Sequence, residues 1–138
     1  MIVYLDTSVI LRVLFREGKR IPIWGKWDRA YSSTLWRTEA FRTVDRLRLS
    51  GSLSDADVSE LAVQLEVVNE TLALLPVTEA IVRKAAESFP TIVGTLDALH
   101  LSSALILRET EKIDLLLTHD KQLAIAARAL GFQVMGET

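Results

Sequence analysis

The sequence predicts an α/β protein, a three-layer α/β/α sandwich built around a central parallel sheet of about five strands. Three observations predict it. Short apolar runs of strand length recur along the chain, and segments with apolar residues at helical spacing separate them. Helix-capping residues follow the strands, as in Asp6-Thr7-Ser8 after the first and Thr78 after the third. The 138 residues are 49% hydrophobic and 25% charged, the size and balance of one domain with a real core, here 1–138. Strands that alternate with helices imply a parallel sheet covered on both faces.

Ile2 to Leu5 is a short run of β-formers that stops at Asp6. A helix follows over about Thr7 to Arg16, with Val9, Ile10, Val13 and Leu14 on one stripe and Gly18 just past its end. Glu17 to Arg29 is the least regular segment, with Pro22, Gly25 and two tryptophans, and reads as loop plus a short helix. Ala30 to Ser32 forms a brief second strand. From Ser33 to Leu49 the pattern is helical, with Leu35, Ala40, Phe41, Val44 and Leu47 apolar and Gly51 beyond the end. Ser54 and Asp57 have the spacing of a capping box, and Val58, Leu61, Leu65, Val68 and Leu72 continue at helical spacing. Leu74 to Val77 is the third strand, which Pro76 confines to a sheet edge or to its own end. Thr78 caps a helix to about Ser88, and Thr95 opens a largely apolar, buried helix to about Thr110. Leu115 to Thr118, Lys121 to Leu130 and Phe132 to Met135 complete the pattern as strand, helix and strand.

Composition narrows the function classes. There is no cysteine, so disulfides and thiolate metal sites are excluded and a metal must be held by oxygen or imidazole. No apolar run reaches the roughly 18 to 20 residues of a bilayer span, and the N-terminus lacks the basic and long apolar regions of an export signal. A cytoplasmic protein without a membrane partner is the expectation. Net charge is only -2, yet residues 1–50 hold ten Lys or Arg against five Asp or Glu, while residues 51–138 hold six against thirteen. Such asymmetry points to a basic face suited to nucleic acid, although an arbitrary distribution of surface charge produces it too.

In an open parallel sheet, ligands sit beyond the carboxyl ends of the strands. Asp6 closes the first strand and Asp120 follows the fourth; Asp97 lies in the first turn of its helix, and Glu39 about two turns into the helix opened by Ser33. Four carboxylates converging on one edge repel each other unless a hard divalent cation with oxygen ligands neutralises them. One or two such ions can orient a phosphodiester, activate water and stabilise a leaving oxygen. Each acid also has a plain structural explanation. Asp6 and Asp120 stand at helix N-caps, Asp97 favours the positive end of a helix dipole, and Glu39 can be solvated.

The segments Leu5-Asp6-Thr7-Ser8-Val9-Ile10-Leu11, Arg37-Thr38-Glu39, Thr95-Leu96-Asp97-Ala98-Leu99-His100-Leu101 and Leu117-Thr118-His119-Asp120-Lys121-Gln122-Leu123 resemble the four acidic motifs of PIN domains, in that family's order and approximate spacing. The resemblance covers essentially the whole chain and is greatest to VapC-type toxins of prokaryotic toxin-antitoxin pairs. It implies endonucleolytic cleavage of RNA, Mg2+ or Mn2+ as one or two ions, homodimers, and a cognate small antitoxin protein whose C-terminal part lies over the active site. It also implies Asp6, Glu39, Asp97 and Asp120 as catalytic, metal-binding acids, with Ser8 and Thr118 as supporting hydroxyls.

Arg12, Arg16, Arg37 and Arg42 lie on helices beside two of the motifs and are candidate RNA contacts, with a solvated helix face as the alternative. His100 is expected to pack within its apolar helix and bond a backbone carbonyl rather than ligate, and His119 to be an exposed loop histidine. Trp24, Trp27 and Trp36 are expected in core or partner packing rather than stacked on bases. A haloacid-dehalogenase-type phosphatase needs a second aspartate where position 8 is Ser, and a receiver domain pairs acids where Asp6 stands without an acidic neighbour. The remaining competitor is a PIN-fold module that binds RNA or antitoxin with little turnover.

Overall fold

A computed structural model describes residues 1–16 and 18–136. The elements run β1 (Ile2–Leu5), α1 (Thr7–Phe15), β2 (Arg29–Ser33), α2 (Leu35–Leu49), α3 (Asp55–Glu70), β3 (Ala73–Leu75), α4 (Glu79–Ala85), α5 (Thr95–Arg108), β4 (Leu115–Leu117), α6 (Lys121–Ala129) and β5 (Val134–Met135). The five strands form one wholly parallel sheet in the order β3-β2-β1-β4-β5. Strand order therefore reverses between β1 and β4, and Asp6 and Asp120 follow these two strands. A crevice opens at such a reversal because successive crossovers leave on opposite faces of the sheet.

Alternation along β1 divides the core. Val3 and Leu5 face Val9, Ile10, Leu14, Trp36, Ala40 and Leu65 of α1, α2 and α3, whereas Tyr4 faces the cluster of Leu101, Ala104, Leu107, Leu123, Ala126 and Phe132 from α5, α6 and the approach to β5. Each large aliphatic side chain so buried contributes about 1.5–3 kcal/mol. Trp36 is fully buried and donates its indole N–H to Asn69 Oδ1 at 3.2 Å, while Trp24 and Trp27 meet edge to face against the same core, in keeping with packing roles. On the sheet's hidden surface, Ser32 Oγ donates to the Leu5 carbonyl at 2.8 Å, so a polar residue inside β2 costs little.

Several predicted boundaries shift for identifiable reasons. The irregular stretch predicted over 17–29 begins at Glu17, which lies outside the described residues. Over 18–28 there is no helix; Trp24 N–H bonds Ile21 O and Lys26 N–H bonds Ile23 O, isolated turns that Gly25, at φ 79°, prevents from propagating. β3 starts and ends earlier than predicted and stops at Leu75, directly before Pro76, on the sheet edge. β5 begins at Val134 rather than Phe132, because Gly131 (φ 92°) and the Phe132 N–H to Ala127 O bond still belong to the end of α6. α4 ends at Ala85, short of the expected Ser88. The caps predicted at Ser54 and Thr78 are present. Ser54 and Asp57 exchange both capping-box bonds at 3.1 and 2.9 Å, and Thr78 accepts from Ile81 N–H.

Candidate active site

Asp6 is the centre of the edge beyond β1 and β4. It is only 5% exposed, and although it occupies the N-cap position of α1 its side chain makes no capping bond. Its Oδ2 instead accepts two hydroxyls, Ser8 Oγ–H at 2.6 Å and Thr118 Oγ1–H at 2.7 Å. The same hydroxyl oxygens accept backbone N–H groups, His119 to Ser8 at 2.9 Å and Asp120 to Thr118 at 3.0 Å. Ser8 and Thr118 thus stitch the turn after β1 to the turn after β4 around one carboxylate oxygen. Gly136, past β5, closes on the same turn. At φ 104° a Cβ there would stand 2.9 Å from the Thr118 carbonyl, so no other residue fits without displacing it.

Asp120 does cap its helix, accepting Leu123 N–H on Oδ1 at 3.1 Å. Glu39 comes from α2, a little over one turn from the start at Leu35, and its side chain is 20% exposed rather than freely solvated. Its Oε1 accepts Thr7 Oγ1–H at 2.8 Å and lies 2.8 Å from His100 Nε2. Asp97, in the first turn of α5, has its pKa raised from 3.8 to about 6, first by burial and then by the charges of Asp120, Asp6 and Glu39, with His100 acting the other way. Burial is the larger cause, and the charges of Asp120, Asp6 and Glu39 act on Asp97 in the same direction.

The arrangement is not closed around an ion. Among the described residues, no three His, Asp or Glu side chains stand together as a ready-made metal site. Three of the four acids spend an oxygen on a neighbour: Asp6 on two hydroxyls, Glu39 on Thr7 and His100, and Asp120 on its helix. The remaining carboxylate oxygens are hard, negatively charged donors, the ligand chemistry that Mg2+ and Mn2+ prefer.

His100 departs from its predicted setting. It is 1% exposed, but it bonds side chains and not a backbone carbonyl: Nδ1 faces Tyr4 Oη at 2.9 Å and Nε2 faces Glu39. Burial alone would lower its pKa, yet the bond to Glu39 and the charges of Asp6, Glu39 and Asp97 raise it. Sequence reasoning missed Tyr4 and Thr7. The signal was a tyrosine in an apolar strand and a histidine in an apolar helix, two buried polar groups that must find partners. His119 is half-buried, not exposed; its ring bonds the Gly136 carbonyl, and burial lowers its pKa.

The four arginines separate. Arg12 joins Lys19, Arg20 and His119 around a depression of about 460 Å³ beside the Ser8–His119 turn. Arg16 ends α1 with φ 53° beside Asp57 and Glu60, Arg37 pairs with Glu66, and Arg42 pairs with Asp45 at 3.4 Å. A depression of about 650 Å³ between α4 and α5 is lined by none of the four acids. No helix is long and apolar enough to cross a membrane among the described residues.

The PIN domain family model matches residues 3–129. The chain is 28% identical over 137 residues to Ribonuclease VapC47 of Mycobacterium tuberculosis (strain CDC 1551 / Oshkosh), an alignment covering 94% of this chain and 93% of the relative. Two solved structures share the fold. VapBC2 from Rickettsia felis, bound to a DNA fragment from its promoter, superposes with a TM-score of 0.66 at 15% identity, covering 99% and 98% of the two chains. Mycobacterium tuberculosis VapC20, a Sarcin-Ricin loop cleaving toxin, gives 0.64 at 16% identity, covering 94% and 95%.

Proposed function

The chain belongs to the PIN domain family, and from that premise we propose that it is a divalent-metal-dependent endoribonuclease, the toxin of a toxin-antitoxin pair. The observation that carries this reading is Asp6, a carboxylate 5% exposed that declines its helix cap and is fixed by two hydroxyls at the strand-order reversal. A buried carboxylate with three acidic neighbours is unfavourable in isolation and favourable around a cation.

In this proposal Asp6, Glu39, Asp97 and Asp120 hold the ion or ions. A bound Mg2+ or Mn2+ would supply charge neutralisation and Lewis-acid activation of water and phosphate. The chain's own groups do the rest. Ser8 and Thr118 orient Asp6, and the α6 cap orients Asp120. Asp97, whose pKa is raised to about 6 by burial and its acidic neighbours, would be needed in its ionised form to hold the ion. Purified protein is expected to cut structured RNA with Mg2+ or Mn2+ and to stop in EDTA, and mapping the new 5′ ends identifies the sites. Cleavage undiminished by EDTA overturns the metal requirement.

Substrate contact is assigned to the depression of Arg12, Lys19, Arg20 and His119, where cations sit next to the acidic edge. Lys19→Gln with Arg20→Gln should reduce the slope of log affinity against log salt by about 0.7 for each phosphate no longer neutralised. An unchanged slope removes these residues from the RNA path. The partner proposed is a small antitoxin that places a guanidinium among the carboxylates, since a planar fork bonds two carboxylate oxygens while replacing a cation. The open spacing of the acids favours one second reading, a PIN-fold binding module with little turnover, for which metal binds but RNA stays intact.

A further inference from the structure

We propose that His100, with Thr7 and Tyr4 behind it, is a positioning residue that fixes Glu39 so that this carboxylate offers a single oxygen, Oε2, to the cation. This role rests on the metal-site reading above and deepens it.

Glu39 and His100 reach the site from opposite layers, α2 on one side of the sheet and α5 on the other, and they meet beyond the end of β1. The 2.8 Å separation of His100 Nε2 from Glu39 Oε1 defines the hydrogen's place. A carboxylate only accepts, so Nε2 carries the hydrogen whether the ring is neutral or charged. Thr7 Oγ1–H donates to the same Oε1 at 2.8 Å. Two donors therefore occupy one oxygen, and among the described residues every hydrogen bond to the Glu39 side chain falls on Oε1. The ring is itself anchored, with Nδ1 2.9 Å from Tyr4 Oη. Tyr4, Thr7 and His100 are 0%, 2% and 1% exposed, so water does not compete for these bonds.

A glutamate on a helix surface samples many rotamers, and each ion it captures must first restrict them. Here the restriction precedes the ion. Outer hydrogen bonds of this kind orient a metal's ligands, and their removal costs about 10–100-fold in affinity or activity. His100 Nε2 also lies 3.8 Å from Asp6 Oδ1, which places the same imidazole beside two carboxylates of the site.

The test is Mn2+ affinity of the purified protein, by calorimetry or paramagnetic resonance, with thermal melting alongside. His100→Leu removes the donor, and Thr7→Val removes the second donor at almost constant shape. His100→Gln keeps an N–H at the far end of the side chain. His100→Leu is expected to bind Mn2+ about 10–100-fold more weakly, with Thr7→Val at the lower end of that range. His100→Gln should recover most of the loss, and cleavage by His100→Leu should recover at saturating Mn2+. Should His100→Leu fail to fold, Thr7→Val and His100→Gln carry the comparison. Glu39→Gln separates the two levels. Wild-type affinity in folded Thr7→Val and His100→Leu, with Glu39→Gln weakened, overturns the positioning role and leaves the metal site standing. Wild-type affinity in Glu39→Gln overturns both. Equal weakness in His100→Gln and His100→Leu overturns the donor as the cause.

Discussion

Asp6→Asn is expected to fold and to lose RNA cleavage by about a hundredfold or more, a barrier increase of about 2.7 kcal/mol or above. The two halves of this expectation come from the two oxygens of Asp6. Ser8 and Thr118 both donate to Oδ2, and an asparagine that turns its carbonyl to that side keeps both bonds. The amide nitrogen then replaces Oδ1, where a cation would be drawn in, and presents donors in place of an acceptor. The helix does not depend on the side chain either, because it makes no cap bond to α1. Circular dichroism and melting check the fold, and single-turnover cleavage in Mg2+ checks the chemistry. Cleavage within a few-fold of wild type would mean that Asp6 is a structural anchor for the two turns and nothing more.

Most of the fold was legible because burial on both faces of a parallel sheet leaves continuous apolar runs, and helices between them keep a 3.6-residue period. β1 and β4 are such runs, and α1 and α6 carry their apolar residues on the face that meets the sheet. The segment before β2 was not legible, because Pro22 and Gly25 signal a departure from helix without saying which turns result. Strand ends were misplaced where a helix terminus ran on into an apolar residue, as at Phe132.

The convergence of four acids was legible from topology, since strand and helix positions alone put Asp6, Asp120, Asp97 and Glu39 toward one edge. What each carboxylate does with its oxygens was not. Capping is equally plausible in sequence for Asp6 and Asp120, yet only Asp120 caps, because Ser8 and Thr118 compete for Asp6 from two different strand ends. Ser8 stands two residues from Asp6, but Thr118 is 112 residues away, and no local pattern encodes that pairing. The Tyr4–His100–Glu39 chain likewise joins three elements, and one residue alone suggested only a satisfied core histidine.

Asp97 gives the second large effect, on stability. Its folded pKa, about 6, lies above the ordinary 3.8, so the native state binds this proton more tightly than the unfolded chain does. Its contribution favours folding below about pH 4 and is lost as pH rises through about 6, after which the charged carboxylate opposes the fold. A shift of this size is at most about 3 kcal/mol by linkage, and partial exposure of Asp97 reduces the figure to about 1–2 kcal/mol. Asp97→Asn removes the charge. In EDTA near pH 7.5 it should melt at or above wild type, offset by about 0.3–1 kcal/mol of lost helix-dipole interaction. Near pH 4 that advantage should vanish, since the wild-type carboxyl is then protonated as well.

Magnesium reverses the comparison, and the melting midpoint across a Mg2+ titration at pH 7.5 tests the four-carboxylate metal site most directly. Mg2+ that binds only the assembled site adds about 2.7 kcal/mol at a hundredfold excess over its dissociation constant. Wild type is expected to rise steadily with Mg2+, while Asp97→Asn, starting from an equal or higher midpoint, rises much less. Equal increments in the two proteins would contradict the site, because Asp97 would then take no part in holding the ion.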